Sequence, residues 1–206
     1  MKNTLLALAL STGFSFAGAL PPPPAPAPVP PPPAPSPIGS TFNYDFLEIG
    51  WVHNDVDIIG EGDGYYAGLS LSPVDHLILF ANWEQVWGDD ADTRDLVLGA
   101  GGYLPLCKEA DLVVKAGFAW ADSDSDIVGN PVTDENAFVA SVGFRVAITD
   151  WLEFAPAYVF RLADGDTYHT AAGALLFDIG TDVQLAINGS VDDNETSFGA
   201  GIRYNF

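Results

Sequence analysis

From Phe42 to the last residue the chain alternates apolar with small or polar positions, in runs of about ten residues separated by polar breaks. Alternation with period two marks a strand with unlike faces, because successive side chains leave a strand on opposite sides. The final run, Thr196–Phe206, places Phe198, Ala200, Ile202, Tyr204 and Phe206 on one face. Ser197, Gly199, Gly201, Arg203 and Asn205 fall on the other. In the first run, Phe42–His53, Leu47, Ile49 and Trp51 oppose Glu48, Gly50 and Val52. Gly64–Ser72, His76–Trp87 and Asp95–Leu104 continue the pattern, with Gly101-Gly102 a candidate bulge that would shift the phase of Tyr103. Asp111–Ala121, Ala137–Ala147 and Trp151–Leu162 alternate more sharply, and Pro156 marks a bulge or a lost ladder bond. Tyr168–Asp178 is ambiguous in phase; Val183–Val191 precedes the final run.

The breaks also alternate. Ser72–Asp75, Leu106–Ala110, Thr149-Asp150 and Ile179–Asp182 are short, whereas Asn54–Asp63, Gly88–Arg94, Asp122–Asn136, Ala163–Thr167 and Asp192–Glu195 read as longer polar links. Short turns on one side and long loops on the other are what a membrane-spanning barrel needs. A run of about ten residues, tilted near 45°, spans roughly 23 Å, close to the apolar band of such barrels. In lipid the sheet must close, since an open edge leaves backbone groups unsatisfied. The pattern therefore predicts an all-β fold: a closed antiparallel up-and-down transmembrane β-barrel of about ten strands, with eight as the alternative. A soluble sandwich would carry frequent Lys and Glu on its solvent faces. Here those faces are rich in Gly, Ser and Ala, which suits a narrow lumen. Trp51, Trp83, Trp87, Trp120, Trp151 and Tyr204 sit near run ends, as interfacial girdles require.

Ahead of the barrel the composition changes. Lys2, the apolar run Leu5–Phe16 and the small residues Ala17-Gly18-Ala19 read as a secretory signal peptide over residues 1–19, with Ser15-Phe16-Ala17 a second cleavage option. Residues 20–40 form a Pro-rich arm; Pro21–Pro37 cannot pair in a sheet and favours polyproline II. Its place is the periplasm, as a spacer or as a contact for a periplasmic component. Residues 41–206 are the barrel. The formal charge of −21 argues against nucleic acid as a partner, which requires basic surface. Cys107 is the single cysteine, so there is neither an internal disulfide nor zinc-ligand spacing.

Residues 41–206 resemble the small bacterial outer-membrane β-barrel superfamily, which includes the outer-membrane protein A barrel and opacity-type proteins. Phe42-x-Tyr44-x-Phe46-x-Glu48-x-Gly50, the Gly-rich runs and the Tyr204-Asn205-Phe206 ending carry the likeness. Ten strands departs from the eight usual in that group. The resemblance implies the outer membrane as location, with its lipid and lipopolysaccharide as surroundings. It also implies passage through the barrel-insertion machinery, with Tyr204 and Phe206 in the insertion signal. Adhesins, narrow pores, lipid enzymes and anchors all share this fold, so the fold does not choose among them.

The chemistry narrows the choice. His53 lies near Asp55 and Asp57, and His169 near Asp164 and Asp166, which could supply a general base. Loop carboxylates are so abundant that such neighbours arise by chance, and the expectation is no enzyme and no cofactor. Asp122-x-Asp124-x-Asp126 resembles the start of a calcium loop but lacks its Gly and closing Glu. Those residues are candidates for loose divalent-cation binding, against the plainer reading of a solvated acidic rim. Inside the barrel the alternation places Glu48, Glu84, Asp111, Lys115, Arg145, Glu153, Arg161 and Arg203 on the polar face. Charges in a narrow lumen must pair. Arg145 is expected opposite Glu153, and Arg203 opposite Glu48 across the closing seam. Phe46, Ile78, Phe80, Val97 and Val139 share the inward phase. The sequence thus points to a non-enzymatic outer-membrane barrel with acidic loops, a largely occluded lumen and a structural or interaction role. The second reading is a narrow porin-like channel for small or cationic solutes; the third is a surface hydrolase or lipid-modifying enzyme.

Overall fold

Ten strands follow one another along the chain: β1 (Phe46–Val56), β2 (Gly60–Leu71), β3 (Leu77–Gly88), β4 (Ala91–Cys107), β5 (Ala110–Ser125), β6 (Thr133–Thr149), β7 (Leu152–Ala163), β8 (Asp166–Asp178), β9 (Val183–Val191) and β10 (Glu195–Asn205). They come from a computed structural model that describes residues 39–56, 60–88, 91–125, 133–192 and 194–206. The expected signal peptide and all but Gly39 and Ser40 of the Pro-rich arm lie outside the described residues. Each strand pairs antiparallel with its sequence neighbours, and β1 pairs with β10 to close the barrel. Ten is therefore the strand number, and the eight-stranded alternative falls. Because the number is even, β1 starts and β10 ends at the same end of the barrel, called the near end below.

The outer face is what hydrocarbon requires. Ile49 (59% exposed), Phe118 (60%) and Tyr204 (50%) stand on it with the other outward apolar side chains. In water a continuous apolar belt of this kind would be an aggregation site; against lipid tails it is matched. Trp151 stacks on Phe177 toward the near end, and Trp51 meets Phe198 edge-on toward the far end. We expect the protein to fold in detergent and to migrate differently on a denaturing gel with and without boiling. Recovery as a monodisperse detergent-free species would contradict the lipid-facing assignment.

Several details differ from the sequence reading, each for a physical reason. β4 starts at Ala91, β5 runs to Ser125 and β6 starts at Thr133, all beyond the expected limits Asp95, Ala121 and Ala137. Hydrogen bonding continues past the point where outward side chains turn polar, so part of each expected long loop is strand. The link Ala163–Thr167 is a tight turn with Asp164 (φ 47°) and Gly165 (φ 95°) at its centre. Two positive φ values are what a twisted hairpin needs, and Asp-Gly supplies them. No bulge forms at Gly101-Gly102; Tyr103 keeps the inward phase, and the β4–β5 register slips instead between Pro105 and Cys107. At Pro156 the β6–β7 pairing passes from Gly143↔Ala157 to Val146↔Phe154 in unchanged register, as a lost ladder bond requires. In β8, Leu176 is buried inside while Leu175 and Phe177 face out, so both faces are apolar and periodicity could not phase it. β1 begins at Phe46, not Phe42. The preceding residues leave the wall and turn inward.

Candidate functional site

The interior is the candidate site, and the register builds it. Pairing of β1 with β10 sets Glu48 opposite Arg203 on one rung. Arg203 Nη2 lies 2.6 Å from Glu48 Oε2, and its Nε donates to the same oxygen at 2.7 Å. Glu48 Oε1 accepts from the Tyr66 hydroxyl at 2.9 Å and from Asn188 Nδ2 at 3.1 Å. The guanidinium carbon sits 4.0 Å from the Phe46 ring centre. Strands β1, β2, β9 and β10 are thus tied together by one buried carboxylate.

A second group lies nearer the β6–β7 turn. Arg145 donates through Nε and Nη2 to Glu153 Oε2, at 3.2 and 2.5 Å. Gln184 Nε2 donates to Glu153 Oε1 at 3.3 Å and to Asp178 Oδ1 at 2.8 Å. A third pair is Arg161 with Asp95, Nη1 to Oδ2 at 2.9 Å. β5 and β6 lie between their strands, so this pair joins non-adjacent staves. Toward the far end Glu84 Oε1 accepts from Asn54 Nδ2 at 3.0 Å. Lys115 pairs with no carboxylate among the described residues; its ammonium lies 5.3 Å from the Phe80 ring centre. Asp95, Tyr66, Asn188 and Gln184 were not singled out from the sequence. Inward phase was the available signal for each, but neutral partners are chosen by three-dimensional proximity.

These groups divide the lumen. A cavity of about 550 Å³ is lined by Asn82, Glu84, Asp95, Lys115, Arg161 and Asn188 among others. A second, of about 160 Å³, is lined by Tyr44, Phe46, Lys115, Arg145 and Arg203 among others. Lys115 and small residues such as Ser141 contribute to both.

The near-end mouth is crossed by Gly39–Asp45. Its Ser40 Oγ donates to Asp111 Oδ2 at 2.5 Å, and Tyr44 Oη donates to the same oxygen at 2.8 Å. Thr41 Oγ1 donates to the Lys108 carbonyl at 2.8 Å. Arg145 Nη1 donates to the Asn43 carbonyl at 2.5 Å, and its guanidinium carbon lies 4.8 Å from the Phe42 ring centre and 4.9 Å from that of Tyr44. Tyr44 stacks on Tyr103 with ring centres 4.1 Å apart. The segment enters β1 beside β10, while Lys108, Asp111 and Arg145 belong to the β4–β6 side.

The remaining candidates stay apart from the lumen. His53 Nδ1 lies 3.0 Å from Asp63, on the outer face, and not against Asp55; Asp57 lies outside the described residues. His169 Nδ1 meets the Tyr158 hydroxyl at 2.8 Å and makes no hydrogen bond to Asp164 or Asp166. Of the acidic trio, Asp126 lies outside the described residues, Asp124 pairs with Asp92 along the β4–β5 ladder, and Asp122 lies 3.9 Å from Arg94. No cluster of three metal-ligating side chains occurs among the described residues. Tyr204 and Phe206 both face outward at the near end, their ring centres 6.3 Å apart.

No family model and no curated protein sequence matches the chain. Among solved structures, the NanC porin aligns with a TM-score of 0.52 at 11% identity, covering 78% of this chain and all (100%) of that one. The N-terminal β-barrel domain of Pseudomonas aeruginosa OprF gives 0.46 at 11% identity, over 80% and 100% of the two chains. The attachment invasion locus protein Ail of Yersinia pestis gives 0.44 at 10%, over 78% and 97%. The likeness to NanC is one of fold: this chain has the architecture of the small bacterial outer-membrane β-barrels.

Proposed function

We propose that this chain is a non-enzymatic protein of the bacterial outer membrane, with a structural or interaction role, whose lumen is held largely shut by its own side chains. The observation that carries the reading is the Glu48–Arg203 pair, buried at the seam and bonded to Tyr66 and Asn188. A charge pair so fully hydrogen-bonded is a fixed strut, since opening it would leave a buried carboxylate without its counter-charge. Arg145–Glu153 and Arg161–Asp95 add struts at other levels. A polar far end, with Asp55, Glu61, Asp63, Asp164, Asp166 and Asp192, offers the surface for interaction. His53 and His169 fit the non-enzymatic reading, because His169 meets a tyrosine and His53 a surface carboxylate, neither of them bonded to a serine or cysteine.

The cavity of about 550 Å³ favours the second reading, a narrow channel for small or cationic solutes. Planar-bilayer recording of the refolded full chain separates the two. The wild type is expected to conduct poorly, with brief small openings at most. A large, steady open current would overturn the closed-lumen reading and establish the porin-like one.

A further inference from the structure

We propose that the near-end mouth is a peptide-binding site, occupied here by the chain's own Gly39–Asp45, and specific for an extended segment with a hydroxyl and alternate aromatic residues. This goes beyond the lumen struts, which are made by strand residues alone. Three kinds of contact define the site. Asp111, fully buried, takes two hydroxyl donors from the segment, Ser40 and Tyr44. Arg145 reads the segment twice, donating to the Asn43 carbonyl and lying against the rings of Phe42 and Tyr44. Tyr103 provides a stacking platform for Tyr44.

None of these contacts belongs to the sheet. The sheet itself holds only the downstream end of the segment, where the Asp45 carbonyl accepts from Phe206 N at 3.1 Å and Asn43 Nδ2 donates to the Phe206 carbonyl at 3.4 Å, and the barrel is already closed by β1 and β10. Yet a buried carboxylate, a guanidinium and an aromatic face from β4, β5 and β6 converge on residues that reach across from β1. The guanidinium is planar and forked, so it can bond a backbone carbonyl while packing against two rings, which an ammonium could not do as well. The pairing is that of a receptor with an extended peptide: backbone hydrogen bonding for affinity, alternate side chains for selectivity. Directly behind the segment lies the cavity of about 160 Å³, lined by Tyr44 itself. The segment therefore acts as a stopper as well as a ligand.

Tethering accounts for its presence. A segment attached directly to β1 faces its site at an effective concentration in the millimolar range or above, so even modest intrinsic affinity fills it. Weakening the tethered copy should leave the site open to a free one.

The test uses the full chain. A fluorophore-labelled peptide spanning Gly39–Asp45 is titrated against the detergent-folded wild type and against the Ser40→Ala/Phe42→Ala/Tyr44→Ala variant, read by anisotropy. The variant is expected to bind the peptide at least tenfold more tightly than the wild type, whose site is already filled. Adding Asp111→Asn to the variant should remove most of that binding; the isosteric amide keeps the shape and loses the charged acceptor. The boiling-dependent gel shift confirms that each variant is folded. Equal, weak binding to wild type and variant, both folded, would overturn the proposal, as would binding unaffected by Asp111→Asn. Because the readout is binding and not current, a wild type that conducts strongly would sink the closed-lumen function while leaving this site to be judged by the titration.

Discussion

Replacing Arg203 with Ala should destabilise the barrel more than replacing Arg203 and Glu48 together. Glu48 is 5% exposed, and the guanidinium supplies its counter-charge and a hydrogen bond from Nε. Removing one partner of a buried ion pair strands the other charge, at a cost of about 3–5 kcal/mol. Tyr66 and Asn188 remain as donors and soften the loss without cancelling it. In Glu48→Ala/Arg203→Ala the stranded charge is gone, so the second substitution recovers part of what the first removed. A coupling of about 1–3 kcal/mol is expected from a double-mutant cycle in lipid, measured by denaturant unfolding. The same double variant should conduct better than the wild type, because it removes two long side chains from the lumen three rungs in from the near end. Additive stability effects with unchanged conductance would mean that the pair neither holds the seam nor narrows the passage.

The second large effect is expected from Gly201→Val. The Tyr66 ring lies over a shallow glycine trough on the inner wall: a Cβ at Gly50 would come within 2.5 Å of Tyr66 Cε1, and one at Gly199 within 3.4 Å. At Gly201 a Cβ would run into the Tyr66 hydroxyl oxygen itself and would come within 2.5 Å of the Ile49 carbonyl oxygen of the neighbouring strand. Valine must therefore push the ring aside and break its bonds to Glu48 and Asn188. Overpacking of this kind costs about 1–3 kcal/mol, and the broken bonds add to it. Gly201→Val combined with Tyr66→Ala should lose less than the sum of the two single losses, because the ring clash is relieved, while the clash with the Ile49 carbonyl stays. Should the valine variant unfold at the wild-type denaturant concentration, the trough is looser than the distances imply.

The fold was legible because lipid imposes one rule on every strand. Ile49, Leu98, Phe118, Phe144 and Ile202 all had to be apolar, and their neighbours in sequence had to be something else. That same rule misplaced the strand ends. On β5 the outward apolar series finishes at Trp120, and the next outward residue, Asp122, lies 3.9 Å from Arg94 on β4. The sequence reading stopped there because the hydrophobic signal reports where hydrocarbon ends, while the ladder continues into water. β8 failed in the opposite way, with Ala172, Ala174 and Leu176 inside and Leu175 and Phe177 outside. In the lumen, Glu48 and Arg203 could be matched because the closing rung follows from strand order and phase. Asp95 could not be matched to Arg161, since that pair reaches across β5 and β6. Phe42 and Tyr44 misled most, alternating like strand residues while lying in the segment across the mouth, with both rings against Arg145.

The seam between β1 and β10 also imposes an order in time. Its partners stand 155 positions apart at Glu48 and Arg203, whereas every other pair of staves is a hairpin of near neighbours. Local hairpins close early and long loops late, so the sheet grows as an open ribbon and becomes a cylinder last. Until that moment two unpaired edges face each other, and the ribbon can join a second ribbon as readily as itself. Assembly is therefore a race between intramolecular and intermolecular edges. β1 and β10 supply the two edges, and the rung that joins Glu48 to Arg203 is the one that only the intramolecular partner completes together with Tyr66 and Asn188 of the same wall.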